Sequence, residues 1–414
     1  MKNGKTFFLI IAYILFNAAN FFYHFLAARA LGPEEYAIVA SLFSIIYLMA
    51  IASQAIQTTI TKFAATFKAR KQREKINFLF KYSAKKLFFL SLIFLAIFLF
   101  SSPVISRFLR VPLLAVIITA VPLFFCFLFP VTRGILLGLQ NFSAVGWNMI
   151  CEGALKIFLI SLSIYFGWKA VGAITAIALS SATAFFLSLL PIRLNKKFQE
   201  LDKKEIKKIY SYILPVLLAF ISITMFYNVD ILLVKHFFAA EEAGYYSVVS
   251  IFGKIIFIGT TAIGLVMFPK ASEFYVKRKN ALEWLKNSFL FVLGVGFLSL
   301  LIYFSFPKLL VTIFFGAQYL KAAPLLGLYG IFMLFLALCY ILALYNLSIE
   351  KKKFLYPLFF FNFLQIVFVS IFHTSLFQVI IIFVLLSILL FVLLLNQTLF
   401  QKLRNKIGFV VNFG

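Results

Sequence analysis

The chain has 414 residues, 64% of them hydrophobic and 13% charged, with 57 phenylalanines. A soluble domain carries about 25% charged residues, so a water-soluble multidomain protein is excluded. Lys and Arg number 39 against 13 Asp and Glu, a net charge of +26; a nucleic-acid binder is basic too, but here the cations punctuate apolar runs of membrane-spanning length, which excludes nucleic acid as a partner.

A transmembrane helix needs about 20 mainly apolar residues. Twelve stretches meet this, at 6–30, 36–61, 87–106, 113–138, 144–166, 170–192, 210–235, 243–268, 287–313, 323–347, 354–373 and 376–400. The first begins like a signal peptide, with Lys2 and Lys5 before an apolar core and small residues at Ala18 and Ala19. Its apolar character runs on to Leu31, so it is read as a retained helix. Asn17, Asn20 and His24 within it suit a helix that faces protein.

Lys and Arg accumulate in cytoplasmic loops. Of the 39, 29 fall on the side shared by the N-terminus, the even-numbered loops and the tail; 7 fall on the other side, and Arg133, Lys156 and Lys254 lie within spans. The expectation is a multi-pass protein of the cell membrane with both termini cytoplasmic. The basic stretches Lys68 to Lys86 and Arg193 to Lys208 also suit anionic lipid headgroups. Loops on the outer side are short, the longest around Ser101 to Pro112 and Ser305 to Ala322, and no GxxxxGK, HExxH or GxSxG occurs. An enzyme is not expected, no catalytic residue is assigned, and no cofactor is called for. Cys126, Cys151 and Cys339 sit in apolar runs without CxxC spacing, and His24, His236 and His373 are scattered, so neither disulfides nor a metal site is indicated.

At an offset of 210, Tyr36 to Ile46 (YAIVASLFSII) lies over Tyr246 to Ile256 (YSVVSIFGKII), and the same offset places Asn20 over Asp230 and Glu152 over Asn362. The long polar connection Arg193 to Lys208 falls near mid-chain. Together these give an N-terminal six-helix lobe over 1–195, a basic cytoplasmic linker over 196–208 and a C-terminal six-helix lobe over 209–414. The expected fold is an all-α polytopic membrane protein, about twelve transmembrane helices in two six-helix bundles around a central cleft. Six is even, so both halves enter from one side and any pseudo-two-fold axis runs along the membrane normal.

An ionisable residue at mid-membrane costs on the order of 3 kcal/mol and is turned toward protein or water. Glu152 and Lys156, four apart, share a helix face; they are either a self-neutralising packing pair or part of the cleft wall, with Lys156 holding an anion and Glu152 tuning it or exchanging a proton. Lys254, at mid-depth, needs a partner from another helix, and Asp230 is the leading candidate, as a bridge or as a substrate or coupling-ion group. Arg133 and Arg29, near span ends, either snorkel to headgroups or face the passenger. The candidate substrate-binding residues are Lys156, Lys254, Arg29, Arg133 and Asn20, and the candidate coupling or ion-pair residues are Glu152 and Asp230. Their surplus of positive charge favours an anionic passenger such as a lipid diphosphate. Gly134 and Gly138 form a GxxxG suited to close helix contact; Pro122, Pro130 and Pro215 lie within spans and Pro269 is expected to close the eighth.

The junction Arg29-Ala30-Leu31-Gly32-Pro33-Glu34-Glu35-Tyr36 resembles the R-x-L-G-x-x-x-Y/F-G junction of the polysaccharide flippases, a family of the multidrug, oligosaccharidyl-lipid and polysaccharide exporter superfamily; Ala37 stands where the family often has Gly. Asn228-Val229-Asp230, Gly244-Tyr245-Tyr246 and Pro269-Lys270-Ala271-Ser272 resemble it in the second half, and the six-plus-six layout extends the likeness over the whole chain. The resemblance implies export of polyprenyl-diphosphate-linked oligosaccharide by alternating access, with membrane lipids around it; glycan polymerase or glycosyltransferase partners and coupling to a proton or sodium gradient are left open by the sequence. A multidrug or metabolite antiporter of the same superfamily, or a non-transporting scaffold of a glycan-assembly complex, are the alternatives.

Overall fold

The computed structural model describes residues 2–192, 199–200, 202, 214, 217–276, 282–349 and 351–411. Among them every regular element is a helix: α1 (Lys2–Ala69), α2 (Arg73–Leu109), α3 (Leu113–Gly138), α4 (Phe142–Tyr165), α5 (Lys169–Leu189), α6 (217–226), α7 (Val229–Phe237), α8 (Ala240–Val276), α9 (Leu282–Ser305), α10 (Pro307–Phe315), α11 (Leu326–Ser348), α12 (Leu355–Ile371) and α13 (Leu376–Val411). A 3-10 segment, Ala317–Leu325, precedes α11. The chain divides into two compact units, Met1–Leu217 and Leu218–Gly414. The linker expected at 196–208 lies mostly, and Pro215 wholly, outside the described residues.

α1 has 68 residues, about 100 Å if straight at 1.5 Å per residue, three times the hydrocarbon thickness of a bilayer. It is not straight. Gly32 takes φ 81, ψ 173, a conformation that strains any residue with a Cβ, and Pro33 follows with no N–H to continue a helical ladder. The chain then folds back on itself: the rings of His24 and Phe43 are 4.5 Å apart and Tyr36 Oη lies 3.1 Å from His24 Nδ1. A straight helix would separate those pairs by roughly 28 and 18 Å. The first two expected spans are thus the two arms of one helical hairpin whose tip is Gly32.

Nine helical stretches among the described residues are long and apolar enough to cross a membrane, with Phe7–Lys68 counted once and α8 and α12 not included. The two arms of α1, the 37-residue α8 and the shorter apolar α12 complete twelve crossings. The ninth expected stretch, 287–313, breaks at Phe306 between α9 and α10, and other expected boundaries move. α2 starts at Arg73 rather than 87, so Lys75 to Lys86 ride on a helix instead of a loop, and α8 runs through 269 to Val276, so Pro269 does not close it.

Both units are organised around one central helix. In unit 1, α3 packs against α1, α2 and α5, and 72% of its apolar window is buried against 17% for α2. In unit 2, α11 packs against α8, α9 and α13, with 83% buried against 22% for α9. The fourth crossing of each half thus has the second, third and sixth as neighbours, which extends the duplication from sequence to packing. Peripheral helices turn large apolar side chains outward, among them Phe100, Phe297 and Phe363, as lipid-facing surfaces do.

The GxxxG of α3 meets the second arm of α1 at very close range. A Cβ on Gly138 would stand 2.5 Å from Ala64 Cβ, 2.9 Å from the Thr61 carbonyl oxygen and 3.0 Å from the Ala65 nitrogen. Two of those atoms are backbone and cannot turn away. Gly138→Ala is therefore expected to cost about 1–3 kcal/mol of stability by overpacking, read as a lower melting temperature in detergent. Adding Ala64→Gly, which removes the nearest atom, should recover part of the loss; an unchanged melting temperature in the single variant refutes the contact.

Candidate functional site

Polar side chains gather at one place in each unit. In unit 1 the seam between α4 and the first arm of α1 is built from small residues seven apart on both helices: Gly146 faces Ala12 and Phe8, and Gly153 faces Ala19. Small residues let the two backbones approach closely. That approach puts the next turn of each helix within reach, and Lys156 Nζ donates to Asn20 Oδ1 at 2.7 Å, with the Phe16 ring centroid 5.4 Å from the ammonium.

One turn earlier on α4, Glu152 Oε2 accepts from Arg133 Nη2 of α3 at 2.6 Å. The same guanidinium donates from Nε and Nη2 to Asn148 Oδ1 at 3.0 and 2.7 Å and lies 4.3 Å from the Phe129 ring centroid. Asn148 Nδ2 donates to the Ala184 carbonyl, which ties the group to α5 at 2.7 Å. Two sequence readings change here. The ion pair of Glu152 is with Arg133 rather than with Lys156 on its own helix, because the planar guanidinium fork satisfies Asn148 and Glu152 at once. Arg133, read from sequence as a candidate for snorkelling, has a side chain only 13% exposed and is fixed inside the bundle. Arg29 belongs to neither group; it is exposed near the hairpin tip, 5.7 Å from the Phe25 ring centroid. A groove of about 370 Å³ between α4 and α5 reaches Glu152 from the exposed face.

In unit 2 the seventh crossing is interrupted by a turn at 227–228, between α6 and α7. Asn228 at that break donates from Nδ2 to the Thr224 carbonyl at 3.1 Å and accepts from Lys254 Nζ of α8 at 3.1 Å. Asp230, fully buried in the first turn of α7, accepts on Oδ2 from Tyr246 Oη at 2.9 Å and from Tyr329 Oη at 2.6 Å. Tyr329 Oη is in turn 2.9 Å from Ser250 Oγ. Asp230 and Lys254 are thus brought to the same region, each with hydrogen-bond partners of its own. Lys235, at the end of the seventh expected span, is 3% exposed.

The two groups share devices across the offset of 210. Tyr36 and Tyr246, equivalent residues in the opening turns of the second and eighth crossings, each reach back to a polar side chain of the preceding crossing, His24 in one half and Asp230 in the other. Asn362, equivalent to Glu152, donates to the Ser222 carbonyl of α6 at 2.8 Å, so α12 is joined to the seventh crossing as α4 is to the first. Sequence reasoning missed Asn148 and Tyr329. A polar residue within an apolar span was the available signal for Asn148; a tyrosine in such a span carries none. Among the described residues no three His, Cys, Asp or Glu side chains come together as a metal site.

Comparisons with known proteins agree with this architecture. The model of a family described as polysaccharide biosynthesis protein matches residues 4–275. No curated protein sequence matches the chain. Among solved structures, the inward-facing form of a multidrug resistance MATE transporter of the MOP superfamily superposes with a TM-score of 0.71 at 16% identity, over 92% of this chain and 94% of that one. The lipid II flippase MurJ in an inward closed conformation gives 0.73 at 16% identity, over 94% and 87%. A MOP superfamily transporter from Pyrococcus furiosus gives 0.58 at 19% identity, over 95% and 93%. At these identities the likeness is one of fold, the helical two-lobe fold of MOP transporters. The family match covers well over half of the sequence, and the chain belongs to the polysaccharide biosynthesis protein family.

Proposed function

We propose that the protein carries a polyprenyl-diphosphate-linked oligosaccharide from the cytoplasmic to the outer leaflet of the cell membrane by alternating access, as a step in polysaccharide biosynthesis, with both of its termini cytoplasmic. The observation that supports this most directly is the division of partners in unit 1. Arg133 occupies the carboxylate of Glu152, and the buried Lys156 is left with a neutral amide, Asn20, as its hydrogen-bond partner. A buried cation with a neutral partner retains most of its field, and an anionic phosphate is the chemistry that would complete it. Lys254, which donates to the Asn228 amide and shares its region with Asp230, is the cation proposed to meet the substrate in unit 2. Glu152 and Asp230 are the carboxylates through which a proton or sodium gradient would drive the cycle.

The test is reconstitution of the purified chain into vesicles loaded with a polyprenyl-diphosphate oligosaccharide, with a non-permeant glycosidase added outside. Protein-containing vesicles should give up the inner-leaflet sugar faster than empty ones. No acceleration for this lipid, together with gradient-driven efflux of a cationic drug, would overturn the reading in favour of an antiporter.

A further inference from the structure

The exposed face of unit 1 carries a second concavity, of about 410 Å³, bounded by α2, α3 and α5. Its wall is a chain of five phenylalanines. Ring centroids are 5.9 Å apart for Phe88 and Phe124, 5.2 Å for Phe124 and Phe125, 5.1 Å for Phe125 and Phe185, and 5.7 Å for Phe185 and Phe186. Lys85 lines the same concavity. The groove lies on the stretch of α3 between Pro122 and Pro130.

Its depth in the bilayer follows from α2. Large exposed apolar side chains on that helix begin at Phe88 and end at Phe108, a stretch of about 30 Å at 1.5 Å per residue, the hydrocarbon thickness. Lys81, Lys85 and Lys86 precede the band and Arg107 and Arg110 close it. Lys85 is thus at headgroup depth, one turn from the hydrocarbon edge, on the side where most basic residues of the sequence gather. Phe185 and Phe186 reach the groove from the last turn of α5, which ends at the same membrane surface.

We propose that this groove binds an anionic phospholipid of the cytoplasmic leaflet, with an acyl chain along the phenylalanines and the phosphate on Lys85. The groove joins a wall of phenylalanines to a cation at its mouth, and basic recesses between helices on the cytoplasmic side are where anionic headgroups bind. The polyprenyl diphosphate is not the occupant. Asn20 and Lys156 lie on α1 and α4, neither of which lines the groove, so a phosphate on Lys156 belongs to a different molecule from a phosphate on Lys85. The site stands whether or not the proposed transport is correct.

The experiment is to equilibrate the full chain in mixed phosphatidylcholine and phosphatidylglycerol vesicles, extract it gently and count retained lipids by mass spectrometry. Wild type should hold phosphatidylglycerol over phosphatidylcholine by about fivefold, the factor that ~1 kcal/mol per basic residue at an anionic surface gives. Lys85→Ala should lose the preference, while Lys62→Ala, outside the groove, should keep it. Ala84→Trp, whose indole fills the groove, should lose both lipids; Lys85 is exposed, so its variant remains informative even if Ala84→Trp fails to fold. Equal retention of the two lipids by wild type, or an unchanged preference in Lys85→Ala, overturns the site. Displacement of phosphatidylglycerol by an equimolar polyprenyl phosphate overturns its assignment to a resident phospholipid.

Discussion

Replacing Lys156 by alanine is expected to reduce transport of a diphosphate-linked oligosaccharide by about 10- to 150-fold while leaving the amount of folded protein unchanged. The range is the equilibrium factor for one hydrogen bond to a charged group, about 1.5–3 kcal/mol. The variant should fold because the partner lost is neutral: Asn20, on the hairpin arm facing α4, is part-exposed and its amide carbonyl can be solvated. Lys254→Ala, which removes the hydrogen bond to the Asn228 amide, is expected to lower transport as well. Lys156→Arg keeps the charge, and it should retain more activity than alanine. The measurement is initial flipping rate in reconstituted vesicles, normalised to folded protein. Full activity in both alanine variants would remove the phosphate-binding role from these lysines.

Arg133→Met is expected to act on stability instead, and strongly. It leaves the Glu152 carboxylate and the Asn148 carbonyl oxygen inside the bundle without their shared donor. Removing one partner of a buried ion pair costs about 3–5 kcal/mol, because the remaining charge is stranded. The double variant Arg133→Met with Glu152→Gln removes that charge and should regain most of the loss. Thermal unfolding in detergent decides between the two. If the double variant is no more stable than the single one, the pair is not the source of the stabilisation.

These two residues also show what the sequence could and could not reveal. The crossings were readable because a bilayer imposes a length on apolar runs, and the twelve stretches correspond to helices or helix arms, the seventh only in its described part and the ninth across the break at Phe306 between α9 and α10. The equivalence of Tyr36 and Tyr246 was readable because duplicated halves keep their register. Pairing across helices was not. Glu152 and Lys156 are four apart, which on an isolated helix makes them natural partners, yet which cation reaches the carboxylate depends on what α3 presents opposite it. That is settled by packing: the Gly134 and Gly138 contacts with the second arm of α1 position α3, and the Gly146 and Gly153 seam positions α4. Asn20 reaches Lys156 for the same reason. Nothing local to either residue encodes the distance between them. Likewise Tyr329 becomes a partner of Asp230 only because the central helix α11 packs against α8 beside α7.

The hairpin form of α1 has a consequence for biosynthesis. A polytopic chain has to move its outer loops through the translocon, and polar length is what makes that slow and costly. Here the first two crossings are joined by a glycine-proline turn with no intervening loop, so the segment to be moved across the bilayer between them is only the tip. It carries Arg29, Glu34 and Glu35, a net charge of −1. The pair can therefore enter the bilayer as one unit, and once there Glu35 Oε2 accepts from the Ala170 N–H at 3.0 Å. The hairpin thus displays, at its tip, the acceptor onto which the start of α5 docks.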